Sequence, residues 1–172
     1  KRGRSIAGQR AIIEGFGAVG AFAAYYLDLL GVKVVAVSSA GPRGVRIATD
    51  PGGLAVRALV SAAYENGRVL PASGHAAYGA TGVVTDAETG DALYREKADV
   101  FIPAARSHTI GPAQIDLIKK AGVRVWSCGA NNPFRYDPRH RDGYAGWVTE
   151  MVELQRLSDP HFEIIPDFVA NA

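Results

Sequence analysis

Residues 11–20 read AIIEGFGAVG. A short apolar run passes into a glycine turn and then into a segment rich in alanine, phenylalanine, tyrosine and leucine. Gly15, Gly17 and Gly20 have the G-x-G-x-x-G spacing. Each glycine has its own reason in a strand–turn–helix that grips a dinucleotide's pyrophosphate. The first allows the tight turn, the second leaves room for the phosphates, and the third lets the helix lie close to the strand. The free N–H groups and the positive dipole end of the helix form the anion site. Many nucleotide binders share the pattern, so its context decides.

That context is a βαβ unit. Residues 6–14 predict a first strand, and residues 18–30 a helix buried over much of its surface. Gly31 stops the helix, and the β-branched run KVVAVS at 33–38 predicts a buried parallel strand. Residues 39–50 read as a loop carrying Gly41-Pro42-Arg43-Gly44, with a short extra strand at 45–48. A helix follows over 54–65, closed by Asn66-Gly67. Residues 71–90 are small, polar and glycine-rich, with a hairpin around 82–85 and 88–90. A helical turn is expected at 92–97, a buried strand at 98–103, a helix at 111–121 and a strand at 123–127. A charged loop over 135–143, a helix over 144–157 and a strand at 163–165 complete the chain. The alternation predicts an α/β, Rossmann-type doubly wound parallel sheet with helices on both faces, strand order about 3-2-1-4-5-6. At 172 residues this is one domain, 1–172.

Other classes lack support. A net charge of +2 without a long basic run does not imply nucleic acid. No apolar run reaches membrane-spanning length, so no membrane partner is expected. The single cysteine, Cys128, excludes an internal disulfide and fits a cytoplasmic location. His75, His108, His140 and His161 have no ligand spacing with Cys, Asp or Glu, so no metal is expected. No Ser-His-Asp or G-x-S-x-G arrangement supports hydrolase chemistry. The abrupt stop at Val169-Ala170-Asn171-Ala172 suggests a piece of a larger protein.

Three further motifs follow the glycine turn in order. They are Ile102-Pro103-Ala104-Ala105, Gly129-Ala130-Asn131-Asn132-Pro133, and Ile165-Pro166-Asp167-Phe168-Val169-Ala170-Asn171-Ala172. With them the chain resembles the nucleotide-binding domain of the glutamate/leucine/phenylalanine/valine dehydrogenase family. The resemblance fades across residues 71–90 and 134–162. It implies oxidative deamination of an L-amino acid to a 2-oxo acid, with hydride passed to the nicotinamide of NAD or NADP. It also implies that the catalytic lysines and substrate-binding glycines lie in a preceding domain that this chain lacks. The 172 residues alone are then expected to be inactive, to meet an amino-acid substrate only together with that domain, and to come from a homo-oligomeric parent. The alternative from another class is a non-catalytic dinucleotide-binding regulatory module.

Site residues follow from the same comparison. Gly15, Gly17 and Gly20 would contact the dinucleotide, while Phe16, Ala18 and Val19 line the phosphate turn through backbone N–H groups. Ser39 stands where the family often has an acid that bonds the ribose 2′-OH. A hydroxyl does not repel a 2′-phosphate, and Arg43 and Arg46 follow closely, which favours NADP or dual use. The alternative is a loop serine with two solvated arginines. Pro103, Ala104 and Ala105 let the backbone approach the ribose. Asn131 would face the crevice and, by resemblance, contact the nicotinamide ribose. Asn171 would meet the carboxamide or the cleft, with Asp167 close by. Thr109 is expected to cap the following helix. His108 reads as a surface residue, Asn132 as a structural residue of the turn before Pro133, and Cys128 as a buried strand-end thiol.

Overall fold

A computed structural model describes residues 5–135, 139, 143, 146–148 and 163–165. The centre of the fold is β1 (Arg10–Glu14), whose neighbouring residues Ile12 and Ile13 are both fully buried. Successive strand side chains point to opposite faces. Ile12 enters a core with Phe101, Ile115, Ile118 and Trp126, and Ile13 enters another with Ala24, Val34, Leu59 and Leu70. A strand that is apolar on both faces belongs inside a sheet covered on both sides.

β2 (Lys33–Gly41) and β5 (Val100–Pro103) flank β1 in parallel, placing Ile13 beside both Val37 and Ile102. β6 (Val125–Ser127) and β7 (Glu163–Ile165) continue the parallel sheet beyond β5. On the other flank lie β3 (Gly44–Thr49) and β4 (Val83–Ala87), giving the order β4-β3-β2-β1-β5-β6-β7. Helix α1 (Ala18–Leu29) joins β1 to β2, and α2 (Val56–Glu65) packs beside it. Helix α3 (Pro112–Lys120) covers the other face through Ile115 and Ile118, with Lys119 and Lys120 at its C-terminal end. The fold class is α/β and doubly wound, as the alternation predicts.

The flank beyond β2 departs from the predicted order. Its third position holds an antiparallel strand, and the predicted loop over 39–50 is a hairpin. Ser38 and Ser39 look like the polar end of a strand, yet both are buried with their hydroxyls bonded inside the protein. β2 therefore runs on to Gly41, and Gly44, at φ +120°, turns the chain back into β3. The predicted hairpin within 71–90 is instead one strand, β4, which pairs with β3 from Val45↔Ala87 to Thr49↔Val83.

Two other expectations shift. The first strand begins at Arg10 rather than residue 6; residues 5–9 form a turn tied back by the Gly8 N–H to the Gly31 carbonyl, 2.8 Å. Helix α1 is not buried over much of its surface. It meets the protein through small residues, Gly20 and Ala24 one turn apart, and leaves Val19, Phe22, Tyr26, Leu29 and Leu30 exposed. Within the helix predicted over 144–157, residues 146–148 are helical and Val148 is buried in the Trp126 core. The rest of that helix, the loop predicted over 135–143 apart from residues 135, 139 and 143, and the motif at 166–172 lie outside the described residues.

Candidate functional site

The C-terminal ends of β1, β5 and β6 meet where the glycine turn leaves the sheet. Gly15 has φ +90°, and a Cβ there would lie 2.5 Å from Ala105 Cα and 2.6 Å from its backbone nitrogen. Only a glycine fits that pass between two chain segments. A Cβ on Gly20 would overlap the Gly15 carbonyl oxygen, so the third glycine sets how closely α1 approaches the strand. Gly17, the N-cap of α1, has φ −80°, and a Cβ there would meet nothing within 4 Å, so open space lies above the turn. The first turn of α1 has no side-chain cap and no acidic residue. Its N–H groups and dipole are left for an anion.

Nothing in its sequence position marks Ser38, yet its buried Oγ accepts the Gly15 N–H at 3.1 Å. This bond fixes the first residue of the turn. Removing a partner from a buried donor costs about 1–3 kcal/mol. Ser38→Ala is therefore expected to lower unfolding free energy within that range in denaturant titrations, with folding otherwise intact.

Beyond the turn lies a cleft of about 500 Å³. Val19 forms its α1 wall, Ala104 and Ala105 its floor after β5, and Ala130 and Asn131 its far side after β6. Four residues singled out in the sequence thus meet around one space. Gly129 packs there too, where a Cβ would press on Val19 at 3.1 Å and Ala104 at 3.4 Å. Arg106 and Ser107, which no motif marks, complete the rim. Ser107 Oγ donates to the Asn131 carbonyl at 2.9 Å, tying the two strand-end loops together.

Under this rim sits Glu14, the last residue of β1 and only 7% exposed. Its carboxylate accepts from Tyr94 Oη at 2.9 Å and from Thr109 Oγ1 at 3.3 Å. Burial pushes its pKa above the usual carboxylate value, against the opposing pull of these bonds and of Arg106. Burial and the Glu14 charge likewise raise the Tyr94 hydroxyl. Thr109 therefore does not cap α3, whose N-cap is Gly111. The Gly111 N–H instead donates to Gln114 Oε1, 3.1 Å. The exposed His108 has its ring Nδ1 2.9 Å from the Phe134 carbonyl, outside the cleft lining. Asn132, at φ +47°, occupies the turn before Pro133, and Cys128 is buried.

At the end of β2 the arrangement differs from the expected phosphate clamp. Ser39 is 8% exposed; its Oγ accepts the Leu70 N–H at 3.0 Å and donates to the Ala40 carbonyl at 3.0 Å. Arg46 forms a two-pronged bond to Asp86, 2.7 and 3.0 Å, and holds that carboxyl below its ordinary range. Arg43 lies on the exposed hairpin, 3.9 Å from Glu88. Neither Ser39 nor Arg46 is presented as a free donor. Arg68 lies beside the glycine turn, bordering a smaller apolar groove with Phe16, Gly17, Ala18 and Tyr64. Arg68 has φ +67°, and its segment crosses the end of β2 through the Leu70–Ser39 bond. Asp167 and Asn171 lie outside the described residues. Among the described residues no cluster of three His, Cys, Asp or Glu could hold a metal, and no helix is long and apolar enough to cross a membrane.

Residues 1–146 match the family model of the glutamate/leucine/phenylalanine/valine dehydrogenases, including the 71–90 segment where the motifs fade. The chain is 29% identical over 167 residues to an NADP-specific glutamate dehydrogenase of Saccharolobus shibatae, covering 97% of this chain and 32% of that protein. It is 27% identical over 172 residues to a cryptic catabolic NAD-specific glutamate dehydrogenase of Bacillus subtilis, covering 100% and 33%. The chain spans about a third of the length of these curated relatives. Among solved structures, Plasmodium falciparum glutamate dehydrogenase superposes with TM-score 0.72 at 18% identity, over 97% of this chain and 31% of that one. The hetero-hexameric glutamate dehydrogenase of Thermus thermophilus gives 0.64 at 21%, over 98% and 32%. At these identities the structural likeness speaks for the fold.

Proposed function

With the chain belonging to the glutamate/leucine/phenylalanine/valine dehydrogenase family as premise, we propose that residues 1–172 are the NAD(P)-binding domain of an amino-acid dehydrogenase. The parent enzyme would oxidatively deaminate an L-amino acid to a 2-oxo acid, the bound nicotinamide accepting the hydride. The observation that carries this reading is the division of labour among the three glycines. Gly15 squeezes past Ala105, Gly17 opens the space, and Gly20 seats the helix. Each role is what a pyrophosphate site requires.

The chain's own residues bind and orient. The bare N-terminus of α1 holds the pyrophosphate, and Phe16, Ala18 and Val19 contribute backbone to that turn. The small Ala104 and Ala105 admit the ribose, and Asn131 meets it from the far side. Asn171 is assigned the carboxamide end on motif alone. Substrate binding and proton transfer belong to a further domain of a homo-oligomeric, cytoplasmic parent. Glutamate as the substrate rests on the names of the relatives.

Both NAD and NADP fit this reading. No acid stands at the end of β2 to exclude a 2′-phosphate, and relatives of each preference occur. We assign the 2′-phosphate to Arg68 rather than to Ser39 and Arg46, whose polar groups are engaged within the protein. Arg43 remains a peripheral candidate. Calorimetric titration of the chain with NAD and with NADP is expected to give saturable binding of each; silence for both would refute the proposal. Arg68→Ala is expected to weaken NADP by about tenfold, the effect of losing about 1.4 kcal/mol, and to leave NAD nearly unchanged. An unaltered NADP:NAD ratio would remove Arg68 from the site.

A further inference from the structure

Glu14 is an expensive residue to place at the end of a central strand. A buried carboxylate lacks water, and here it has only two neutral hydroxyl donors and one nearby guanidinium. Its position suggests why the charge is kept. The loop of residues 104–109 begins and ends on this one residue. At its start the Ala104 N–H donates to the Glu14 carbonyl, 2.7 Å. At its end Thr109 Oγ1 donates to the Glu14 side chain. Between these ties lie Ala104, Ala105, Arg106 and Ser107, half of the residues lining the cleft. The Arg106 charge also acts on the Glu14 carboxyl through space, more weakly than burial or the two hydroxyls.

We infer that Glu14 is a positioning residue for dinucleotide binding: its charged carboxylate holds the 104–109 loop, and with it the Arg106 guanidinium, against the cleft. Glu14 does not itself line the cleft; it acts through Arg106 and through the loop backbone. The inference rests on the cleft being the dinucleotide site.

The groups facing the carboxylate are Tyr94 from the 3-10 turn Leu93–Arg95, with Thr109 and Arg106 from the loop. Asp91 and Arg135 act on it at one remove, through Tyr94. Tyr94, raised by burial and by Glu14 itself, stays protonated while Glu14 titrates. Protonating Glu14 removes the charge that acts on Arg106 and weakens the carboxyl oxygens as acceptors for Thr109. Dinucleotide affinity should therefore fall as pH drops through the raised carboxyl range.

Stability should move the other way. A carboxyl whose folded pKa is raised contributes stability below its unfolded value and loses that contribution as pH rises through the folded value. Charged Glu14 thus burdens the fold under the conditions in which it helps the cleft. Neutral glutamine removes both effects. The test is titration with NAD, which has no 2′-phosphate to ionise near about pH 6, and thermal melting of the full chain, wild type against Glu14→Gln and Thr109→Val, from about pH 5 to pH 8.

At the alkaline end, Glu14→Gln is expected to bind about 5- to 10-fold more weakly than wild type while melting at a higher temperature. Its affinity should not vary with pH across this range, and wild-type affinity should fall towards it in acid. Thr109→Val, which cuts the far tie together with the hydroxyl's 3.4 Å bond to the Arg106 carbonyl, should bind more weakly yet keep the wild-type pH dependence. Glu14→Gln binding like wild type at every pH would overturn the inference. So would a variant that both binds weakly and melts lower at the alkaline end, since that marks a merely structural residue. If wild type binds neither NAD nor NADP, the reading of the cleft falls first and this inference with it.

Discussion

Gly15→Ala is expected to abolish measurable dinucleotide binding, a loss of about 100-fold or more, equivalent to about 2.8 kcal/mol. Two independent costs meet at this position. An alanine at φ +90° sits in a region that L residues occupy at about 1–3 kcal/mol. Its Cβ would also stand 2.5 Å from Ala105 Cα, a backbone atom that moves only if the loop moves. Relieving the clash pushes the 104–109 loop away from the turn, opening the floor of the cleft. Stability should fall with affinity, by about 3 kcal/mol or more in denaturant titrations. Gly17→Ala is the informative partner. Its Cβ would meet nothing, and its φ of −80° suits any residue, so its melting temperature should stay near wild type. Its binding should still weaken, because the methyl enters the space reserved for phosphate. Equal stability losses in the two variants would contradict the separate roles given to these glycines.

Trp126→Ala is expected to destabilise the protein by about 3–5 kcal/mol, the usual cost of removing a large buried aromatic side chain. Trp126 is fully buried on β6, with ring centroids 4.8 Å from Phe101 and 5.2 Å from Phe134. Tyr94 extends the stack from Phe101, 5.8 Å away, and Trp147 extends it from Phe134, 6.2 Å away. The aromatic row thus joins a 3-10 turn, two parallel strands and the segment after β6. A cavity here releases a strand of only three residues, from which the Gly129–Asn131 side of the cleft emerges. Binding should weaken along with stability. Trp126→Phe refills much of the space and should recover most of both. A loss below about 1 kcal/mol for Trp126→Ala would mean that the row is not a continuous core.

Those parts of the site that depend on backbone clearance are legible in the sequence. Clearance requires small residues, so Gly15, Gly17 and Gly20 stand out by type and spacing, and Ala104 and Ala105 through the family resemblance. The central strands are legible for a similar reason: a strand buried on both faces is written as a continuous apolar run. What stays hidden depends on partners distant in the chain. Ser38 and Ser39 look alike as adjacent hydroxyls after an apolar run. One supports Gly15 and the other Leu70, and only the paired strands reveal this. Arg46 resembles a phosphate ligand until Asp86, forty residues on, takes its guanidinium. Glu14 sits inside the most conspicuous motif yet gives no sign of its role, because its partners Tyr94 and Thr109 lie 80 and 95 residues away. The antiparallel flank is hard to read because β3 and β4 carry half-exposed faces whose pattern is weak.

The position of β1 in mid-sheet has a consequence for how the protein is made. Its right-hand neighbour is β5, and the Arg10 N–H bonds an Asp99 carboxylate 89 residues downstream. β1 leaves a ribosome well before β5 and must wait for it. At about 5–20 residues per second the wait is roughly 5–20 s. During it the glycine turn has no Ala105 to press against, and Ile12 of β1 lacks Phe101, Ile115 and Trp126, the core it enters in the folded chain. A nascent chain arrested before residue 100 should therefore bind no dinucleotide and engage chaperones, whereas one arrested with residue 135 exposed should have begun to lose them.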